Sequence, residues 1–392
     1  MRIVVGGYLG LLPAGGITWD YIQYPLGLAA LGHDVYYIED TRLWPVYQTN
    51  DLTGADCRAN VAHVASVMDF FGFSRNWAYR DQASGHCFGM PNSSVRDILA
   101  TADVLLNVSC ATSLTDEYHE IPVRVLIDSD PMFTQIQYEV QEAFTPGKSA
   151  MREIIHGHTH HFTFGENAGA PDCRIPSCGV TWLPTRQPIC LDHWVPTPPP
   201  SSTRSSYTTV MNWAAARSLD YDGQSWGQKD VEFRRFMSLP ARVPELSLAV
   251  ATGQTTGAAF PATEATRRGW QVLDPGIVAP DWIAYRDFIN ESCGEFSVAK
   301  ETYVKARTGW FSCRSACYLA SGRPVVTQDT GWSRHLPTGW GLLAFVDEDS
   351  AVDALRRIAA EPHKHGIAAR RVAEEAFASD RVLSELLQQV ER

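Results

Sequence analysis

Residues 308–332, with the sequence TGWFSCRSACYLASGRPVVTQDTGW, decide the predicted fold of this chain. Ser312 is a suitable N-cap for a short helix that ends at Gly322, and residues 324–327 have the composition of a buried parallel strand. A polar loop follows at residues 328–331. In open α/β sheets, helix N-termini and the carboxyl ends of strands meet in the crevice where phosphorylated ligands bind. The stretch therefore predicts either a phosphate-binding unit or a helix–strand unit without a ligand.

The same stretch supplies candidate binding residues. Backbone N–H groups at residues 312–315, which include Ser312 and Ser315, are expected to hold a phosphate at the helix N-terminus. Arg314 adds a planar fork of charged donors. In the loop after the strand, a carboxylate and backbone amides are expected to bind sugar hydroxyls. The candidates in this loop are Asp329, Thr330 and Gly331.

The length and charge of the chain limit its function classes. Its 392 residues suit two domains of about 200 residues each. Apolar residues make up 45% of the chain and charged residues 20%, as in ordinary globular proteins. The formal net charge of −11 argues against a nucleic acid as the main partner, because binding its backbone needs a basic surface. A local basic pocket for a phosphorylated small molecule is compatible with this charge.

The cysteines and the amino terminus indicate the expected cellular setting. Nine cysteines without a CxxC pair favour buried thiols in a reducing compartment over a disulfide framework. The amino terminus, MRIVVGG, leads directly into a strand and lacks the features of a secretory signal. No apolar run reaches the ~18 residues that would predict a membrane span. We therefore expect a cytoplasmic protein.

Strands and helices alternate along the chain in the manner of an α/β protein. We expect two Rossmann-like domains with parallel sheets, which face a central cleft and suit a two-substrate enzyme. The first domain is expected at residues 1–194, and the segment 195–206, VPTPPPSSTRSS, is an expected linker. The second domain is expected at residues 207–375. Residues 376–392 are expected to form a terminal helix that crosses back to the first domain.

The glycine-rich loop after the first strand is the expected acceptor side of the cleft. It is not a GxGxxG motif and therefore does not indicate a dinucleotide. Gly15 and Gly16 permit close approach of a ligand to backbone N–H groups, and Thr18 follows them. Asp20 falls in the expected first turn of the next helix. It either complements the helix dipole or serves as a catalytic or acceptor-binding carboxylate.

Residues 156–161, HGHTHH, bring four histidines close together in the sequence. Zinc can use such imidazoles, but no carboxylate or cysteine is placed to complete a ligand set, so we predict no metal site. A single histidine of this group is a better candidate for an acid, a base or a hydrogen-bond donor in the acceptor pocket. Our candidate is His158.

Glu166 follows a short strand predicted at residues 162–165, within the sequence FGENAG. A carboxylate at the carboxyl edge of a strand suits an active-site loop. A cap on a local turn explains the same residue equally well, so both interpretations stay open.

Three further candidates lie near the start of the second domain. Asn212 and Trp213 follow a predicted strand that ends at Met211. Lys229 begins a helix predicted at residues 229–237, where its charge would balance a diphosphate. The alternative for Lys229 is a solvated surface lysine.

The chain resembles the GT-B glycosyltransferases, which use nucleotide sugars and are built from two Rossmann-like domains. The opening GGITWDYIQYPLGLAALGHDVYYIED is similar to the first β-loop-α-β unit of their acceptor domain. The segment SCRSACYLASGRPVVTQDTGW is similar to their helix–GxPVV–loop donor segment. The ending GLLAFVDEDSAVDALRRI resembles their closing strand, acidic turn and helix. The likeness covers nearly the whole chain in architecture, through short motifs.

The resemblance implies roles for the candidate residues. Lys229 would neutralise the donor diphosphate, residues 312–315 would bind its phosphates, and residues 329–331 would face the donor sugar. The glycine pair before the first helix and the region of Asp20 would lie beside the acceptor and the transferring carbon. One subgroup, the retaining enzymes with two glutamates eight residues apart, is not matched. In this chain Gly309 and Cys317 stand at those two places. The histidine-centred donor signature of the plant-type enzymes is also absent.

We therefore predict an enzyme that transfers a sugar from a nucleoside diphosphate sugar to a small-molecule acceptor, without a metal or another cofactor. If the enzyme inverts, Asp20 is the first candidate for the general base and Glu166 the second. Two alternatives stay open: a nucleotide-sugar epimerase or hydrolase on the same fold, and a nucleotide-sugar-binding protein without catalysis. An NAD-linked dehydrogenase is disfavoured by the missing GxGxxG, although Glu39 resembles a ribose-binding acid.

Overall fold

A computed structural model describes residues 1–43, 56–140, 150–198, 206–214, 217–253 and 259–391. The chain divides into two compact units. The first unit comprises Met1–Phe164, Pro176–Cys190 and Ser379–Arg392, and the second comprises Gly165–Ile175 and Leu191–Ala378. The segment Gly165–Ile175, expected in the first domain, therefore groups with the second unit. Of the expected linker, residues 199–205 lie outside the described ranges.

The first unit contains one large sheet with helices between its strands. Its strands are β1 (Arg2–Gly6), β2 (Asp34–Glu39), β3 (Trp77–Arg80), β4 (Cys87–Gly89), β5 (Val104–Val108), β6 (Val123–Asp128), β7 (His160–Thr163) and β8 (Leu183–Pro184). Its helices are α1 (Gly15–Ala30), α2 (Arg58–Phe70), α3 (Asn92–Leu99), α4 (Asp116–His119), α5 (Phe133–Val140) and α6 (Met151–Gly157).

The strands of this sheet follow the order β4-β3-β2-β1-β5-β6-β7-β8. Every pairing is parallel except that of β3 with β4. In the central register, Val4 lies opposite Tyr36 on one side and Leu105 on the other. Val4 and Leu105 are fully buried, as expected of inner parallel strands that are covered on both faces. The carboxyl ends of the parallel strands therefore share one edge.

The second unit has the same kind of architecture around a separate sheet. Its strands are β9 (Tyr207–Asn212), β10 (Leu219–Tyr221), β11 (Gln224–Trp226), β12 (Leu248–Gly253), β13 (Gln271–Leu273), β14 (Gly294–Ser297), β15 (Val325–Gln328) and β16 (Leu342–Phe345). Its helices are α7 (Lys229–Phe233), α8 (Leu239–Arg242), α9 (Ala262–Arg267), α10 (Pro275–Val278), α11 (Trp282–Asn290), α12 (Glu301–Ala306), α13 (Cys313–Ala320), α14 (Glu348–Ala360) and α15 (Pro362–Ala376).

The main sheet of this unit is entirely parallel, in the order β13-β12-β9-β14-β15-β16, and β10 and β11 form a separate hairpin. Aromatic side chains dominate its core. The Phe296 and Phe345 rings stack at 5.1 Å between centroids, and Phe236 meets Phe345 edge-on at 5.0 Å. Such pairs favour offset or edge contacts and bury large apolar areas, so they fix the spacing between the sheet and its helices.

The last helix, α16 (Ser379–Val390), belongs to the first unit although it follows the second along the chain. It packs against α1. A Cβ atom added at Gly27 of α1 would lie 2.6 Å from Leu383 and 2.8 Å from Ser379, so this contact requires glycine. The chain therefore returns to its first unit at its end.

The structure corrects several of the sequence-based elements. The helix expected over residues 229–237 ends as α7 at Phe233 and continues as a 3-10 turn over Arg234–Phe236. The strand β14 was missed, because its four residues include the glutamate Glu295 and lack an apolar run. The strand expected at residues 162–165 is displaced towards the histidine cluster, as β7.

Two properties bear on the expected setting. All nine cysteines are free thiols, and several of them, among them Cys57, Cys110 and Cys317, are buried. Within the described ranges, no helix has the length and apolar character that crossing a bilayer requires.

Candidate functional site

The N-terminus of α13 lies at the carboxyl edge of the second unit's sheet, because α13 leads into the parallel strand β15. The first bond within the helix runs from the Ala316 N–H to the Ser312 carbonyl, at 3.0 Å. Ser312 occupies the N-cap position with extended backbone, but its hydroxyl makes no capping bond within the described residues. The first-turn N–H groups thus lack acceptors in their own helix, which is the arrangement that binds anions.

Ser315 adds a second polar group to this helix end. Its side chain is 0% exposed, and its hydroxyl oxygen has no hydrogen-bond partner among the described residues. A buried hydroxyl without a partner costs free energy, and because Ser315 has no exposed surface, a ligand would reach this hydroxyl only after a local rearrangement. Ser312 therefore lies at the helix start, whereas the Ser315 side chain is buried in the first turn.

Arg314 points in a different direction from the one expected. Its Nε donates to Glu295 Oε1 at 2.5 Å and its Nη1 to the Val210 carbonyl at 2.9 Å, while Nη2 donates to the Ser297 hydroxyl. Glu295 is fully buried and Arg314 nearly so. The guanidinium therefore joins α13 to β14 and β9 and balances a buried carboxylate. The prediction that Arg314 supplies a phosphate fork is not supported by this placement.

The expected sugar loop is shaped by its own side chains. Asp329 Oδ1 accepts from the Gly331 N–H at 2.8 Å, and its Oδ2 accepts from the Ser333 hydroxyl at 2.7 Å. The Thr330 hydroxyl donates to the Trp310 carbonyl at 2.7 Å. Gly331 has a φ of +95°, in the left-handed region that favours glycine. Asp329 and Thr330 thus hold the loop in a fixed conformation.

Asn167, which the sequence analysis did not select, connects this loop to the one before α13. It is 3% exposed. Its Nδ2 donates to the carbonyls of Arg307 and Gly331, at 2.8 and 3.4 Å, and its Oδ1 lies 2.7 Å from His335 Nε2. The sequence signal was present in FGENAG, but an asparagine in a glycine-containing turn is too common to indicate a long-range contact.

Glu166 immediately precedes Asn167 in a turn that belongs to the second unit. It is half-buried and follows β7 at the carboxyl edge, as expected. Because the Asn167 N–H donates to the Thr308 carbonyl at 3.0 Å, the backbone next to Glu166 is fixed against the loop before α13.

The remaining donor-side candidates have different environments. Lys229 is the first residue of α7 and is only 9% exposed, which argues against a solvated surface lysine. Asn212 ends β9 and is exposed. Trp213 is buried in the aromatic core, with its ring 4.9 Å from that of Phe260, so it offers no face to a ligand. Trp213 is therefore corrected from a binding residue to a core residue.

In the first unit, α1 begins at Gly15, earlier than expected. Asp20 therefore lies in the second turn of α1. A carboxylate there interacts with the helix dipole more weakly than one in the first turn, so the dipole no longer explains this residue. The buried Thr18 hydroxyl donates to the Ala14 carbonyl at 3.0 Å and contacts His63 Nε2 at 2.9 Å. Gly15 is buried and Gly16 half-buried at the start of the helix.

His158 is a buried structural residue. Its Nδ1 donates to the Ile154 carbonyl at 2.5 Å, and its Nε2 accepts from the Asn107 amide at 3.1 Å. Burial lowers the pKa of His158 to about 3. Both ring nitrogens are occupied and the ring stays neutral, so the prediction of an acceptor-pocket donor at His158 was wrong for a physical reason.

The other histidines of the cluster also have separate partners. His156 contacts the Tyr138 hydroxyl at 2.9 Å, His160 the Thr159 hydroxyl at 2.9 Å, and His161 the Ile155 carbonyl at 2.6 Å. Across the described part of the chain, no three His, Cys, Asp or Glu side chains group as ligands for a metal ion.

Glu39 organises the glycine-rich loop of the first unit and was not selected for this role. It is 1% exposed, and its carboxylate accepts from the N–H groups of Gly10 and Leu11 at 2.7 and 2.5 Å. Burial raises the pKa of Glu39 to about 7. Both carboxylate oxygens of Glu39 are buried and already accept hydrogen bonds from the loop, so they are not exposed to a ribose. The resemblance of Glu39 to the ribose-binding acid of a dinucleotide site is therefore not supported.

Comparison with known proteins rests on structure. No protein-family profile matches the chain, and no curated protein matches it in sequence. An alpha-glucosyltransferase solved with UDP-glucose and DNA containing an abasic site is similar over 100% of both chains, with a TM-score of 0.61 and 11% identity. Sucrose-phosphate synthase from Thermosynechococcus elongatus gives a TM-score of 0.55 at 11% identity, over 100% of this chain and 99% of that one.

A third solved structure, AviGT4, is a glycosyltransferase involved in avilamycin A biosynthesis. It matches with a TM-score of 0.53 and 13% identity, over 100% of this chain and 98% of that one. Identities this low show the fold alone. The likeness extends over the full length of each chain and agrees with the two parallel sheets of the separate units. The chain therefore has the GT-B fold, with two Rossmann-like domains.

Proposed function

We propose that this protein is a glycosyltransferase that moves a sugar from a nucleoside diphosphate sugar to a small-molecule acceptor without a metal ion. The second unit binds the donor. Its α13 N-terminus and Lys229 hold the diphosphate, and the loop at residues 329–331 faces the donor sugar. UDP is the first nucleotide to test, since two alpha-glucosyltransferase structures of this fold contain UDP or UDP-glucose.

The main support is the start of α13. It combines first-turn N–H groups without intrahelical acceptors with the N-cap Ser312, whose hydroxyl makes no capping bond among the described residues. These groups lie at the carboxyl edge of a parallel sheet, where ligands of doubly wound folds bind. A helix N-terminus also carries a partial positive charge that favours phosphate.

The chemistry follows from the charges involved. A general base removes the proton of an acceptor hydroxyl, whose oxygen forms a bond to the anomeric carbon. The bond from that carbon to the β-phosphate oxygen breaks, and the nucleoside diphosphate leaves. Lys229 and the α13 N–H groups stabilise the charge that develops on the leaving group, in place of a metal ion. Glu166 and Asp20 are the proposed bases, and the fixed backbone next to Glu166 favours Glu166.

A small acceptor fits the charge of the chain better than DNA does. The alpha-glucosyltransferase structures include DNA complexes. In this chain the net charge is −11, and a polyanionic acceptor would meet long-range repulsion. The free thiols favour a reducing setting, and we propose the cytoplasm.

A thermal-shift screen of nucleoside diphosphates and their sugars tests the proposal. We expect UDP or UDP-glucose to raise the melting temperature of the wild type by several degrees, by mass action on the folded state. Lys229→Ala should abolish the shift. Lys364→Ala is the matched control, because Lys364 is exposed and pairs with Glu361 on α15. EDTA should leave the shift and the turnover unchanged.

The thermal-shift screen, combined with an assay of donor turnover with and without acceptors, also separates the alternative functions. A wild type that shows no shift with any nucleotide or nucleotide sugar would disprove the proposal. Turnover of the donor without an acceptor would indicate a hydrolase or epimerase. Binding without turnover in the presence of any acceptor, DNA included, would indicate a binding protein.

A further inference from the structure

We propose that Asn167 is a positioning residue that holds Glu166 and two donor-side loops in one arrangement. The first loop is residues 307–309, which precede α13, and the second is residues 331–335, which follow β15. The proposal rests on the function proposed above. All of these residues belong to the second unit.

Asn167 forms hydrogen bonds with both loops through its backbone N–H and through both ends of its side-chain amide. Its backbone N–H donates to the Thr308 carbonyl at 3.0 Å. Its Nδ2 donates to the Arg307 carbonyl at 2.8 Å and to the Gly331 carbonyl at 3.4 Å. Its Oδ1 lies 2.7 Å from His335 Nε2. Since the side chain is 3% exposed, water does not compete readily for these contacts.

Two glycines allow the loops to approach Asn167. A Cβ atom added at Gly309 would lie 2.9 Å from the Asn167 backbone nitrogen, and one added at Gly331 would collide with Asn167 Nδ2. Both glycines have positive φ, +78° and +95°. The first loop also bonds to the residue that precedes the second loop, because the Gly309 N–H donates to the Thr330 carbonyl at 2.9 Å. Asn167 therefore packs between the two loops, in a space that a side chain at residue 309 or 331 would close.

The carbonyl partners also fix the orientation of the amide. Two acceptors face one end of the side chain, so that end must be the NH₂ group and the other end must be Oδ1. Oδ1 only accepts hydrogen bonds, so His335 Nε2 must donate and carry the proton. The contact thus places the His335 imidazole in one tautomer and one orientation beside the loop that follows β15.

Glu166 is the adjacent residue, so the hydrogen bonds of Asn167 also fix the backbone position from which the Glu166 side chain extends. Salt bridges also join this segment to the two loops. The Asp172 carboxylate pairs with Arg334 at 2.6 Å and with Arg307 at 2.8 Å. The Arg334 guanidinium binds both Asp172 oxygens, at 2.9 and 2.6 Å, but these side chains are about half exposed, so water and salt weaken the ion pairs. We therefore assign the positioning to Asn167 and use Asp172 as the matched control.

The variants are Asn167→Asp, which keeps the shape but replaces the NH₂ donor by an acceptor, Asn167→Ala, and the control Asp172→Asn. Hydrogen exchange is measured on peptides that cover residues 307–309 and 331–335. In parallel, UDP release from UDP-glucose in the presence of a panel of small hydroxyl-bearing acceptors is measured, together with the Kd for UDP. The His335 imidazole is observed by nitrogen NMR of histidine-labelled protein and assigned with His335→Gln.

We expect both Asn167 variants to speed exchange in the two loops at least 10-fold. They should lower kcat for UDP release at least 10-fold and change the Kd for UDP less than 3-fold, because the α13 helix start and Lys229 are untouched. In the wild type the His335 Nε2 should be protonated, and Asn167→Ala should lose that signature. Asp172→Asn should resemble the wild type in every readout.

Wild-type exchange in Asn167→Asp would overturn the proposal, as would a parallel loss of kcat and UDP affinity that tracks a lower melting temperature. An Asp172→Asn variant as impaired as the Asn167 variants would also overturn it. If the wild type neither binds UDP nor releases it from UDP-glucose, the proposed transferase activity towards this donor fails, and exchange with the NMR signature alone decides the role of Asn167.

Discussion

The Tyr37 hydroxyl donates a hydrogen bond to the buried carboxylate of Glu39 at 2.8 Å, and the two residues together hold the glycine-rich loop of the first unit. The Tyr37 oxygen accepts from the Leu9 N–H at 3.0 Å, while the Glu39 oxygens accept from the next two N–H groups. Three consecutive backbone donors of the loop are thus satisfied by two side chains from β2. This pairing gives the loop its conformation and makes it sensitive to pH.

We expect the free energy of unfolding to fall as the pH rises from about 4.5 to about 7, because burial raises the pKa of Glu39 to about 7. In that window the folded state holds a proton that the unfolded state has released. At about 1.4 kcal/mol per pH unit, the effect is roughly 3 kcal/mol. Urea unfolding across this range should show a shallower slope in Glu39→Gln than in the wild type. The exposed Glu120→Gln is the control, and an unchanged slope in Glu39→Gln would contradict the assignment.

His158 should act in the opposite direction. Because burial lowers the pKa of His158 to about 3, the folded state resists a proton that the unfolded histidine accepts below pH ~6.5. Stability should therefore be lost as the pH falls from about 6.5 towards 3, by about 2 kcal/mol at pH 5. His158→Gln should show less of this loss, whereas His160→Gln on the same segment should keep it. Equal acid sensitivity of wild type and His158→Gln would count against the buried neutral ring.

The Arg314–Glu295 pair predicts a stability defect and no phosphate contact. Arg314→Met leaves Glu295 buried without its partner, and we expect a loss of about 3–5 kcal/mol in the free energy of unfolding. The double variant Arg314→Met with Glu295→Gln should recover most of it, and its Kd for UDP should stay within threefold of the wild type. A large loss of UDP affinity at unchanged stability would restore Arg314 as a phosphate ligand.

Gly331 and Gly339 offer a matched comparison of two glycines with positive φ, +95° and +111°. Alanine at Gly339 meets no described atom within 4 Å, so its cost should be the backbone strain alone, about 1–2 kcal/mol. Alanine at Gly331 collides with Asn167 Nδ2 as well, and we expect at least ~1 kcal/mol more. Urea unfolding of the two variants measures the difference. Equal losses would mean that the loop does not close on Asn167.

The sequence predicted the fold well because the fold depends on local patterns. The strand predicted at residues 324–327 lies within one residue of β15, Val325–Gln328, since short apolar runs between turn residues identify buried strands. The helix start at Ser312 was placed correctly from the preference of serine for N-cap positions, although its hydroxyl makes no capping bond among the described residues, and Gly322 marks the helix end. These features depend on neighbours along the chain.

The direction of a side chain depends on contacts between residues far apart in the sequence, and there the sequence alone was insufficient. It marked Arg314 and His158 as chemically able to bind ligands, but Glu295 and Asn107, on neighbouring strands, occupy them. It passed over Asn167, whose partners lie about 140 to 170 residues away. The stretch at residues 308–332 thus determined by itself that a helix–strand unit of a parallel sheet exists. Only the tertiary structure decided which of its polar groups are left for a ligand, because burial and long-range hydrogen bonds fix that choice.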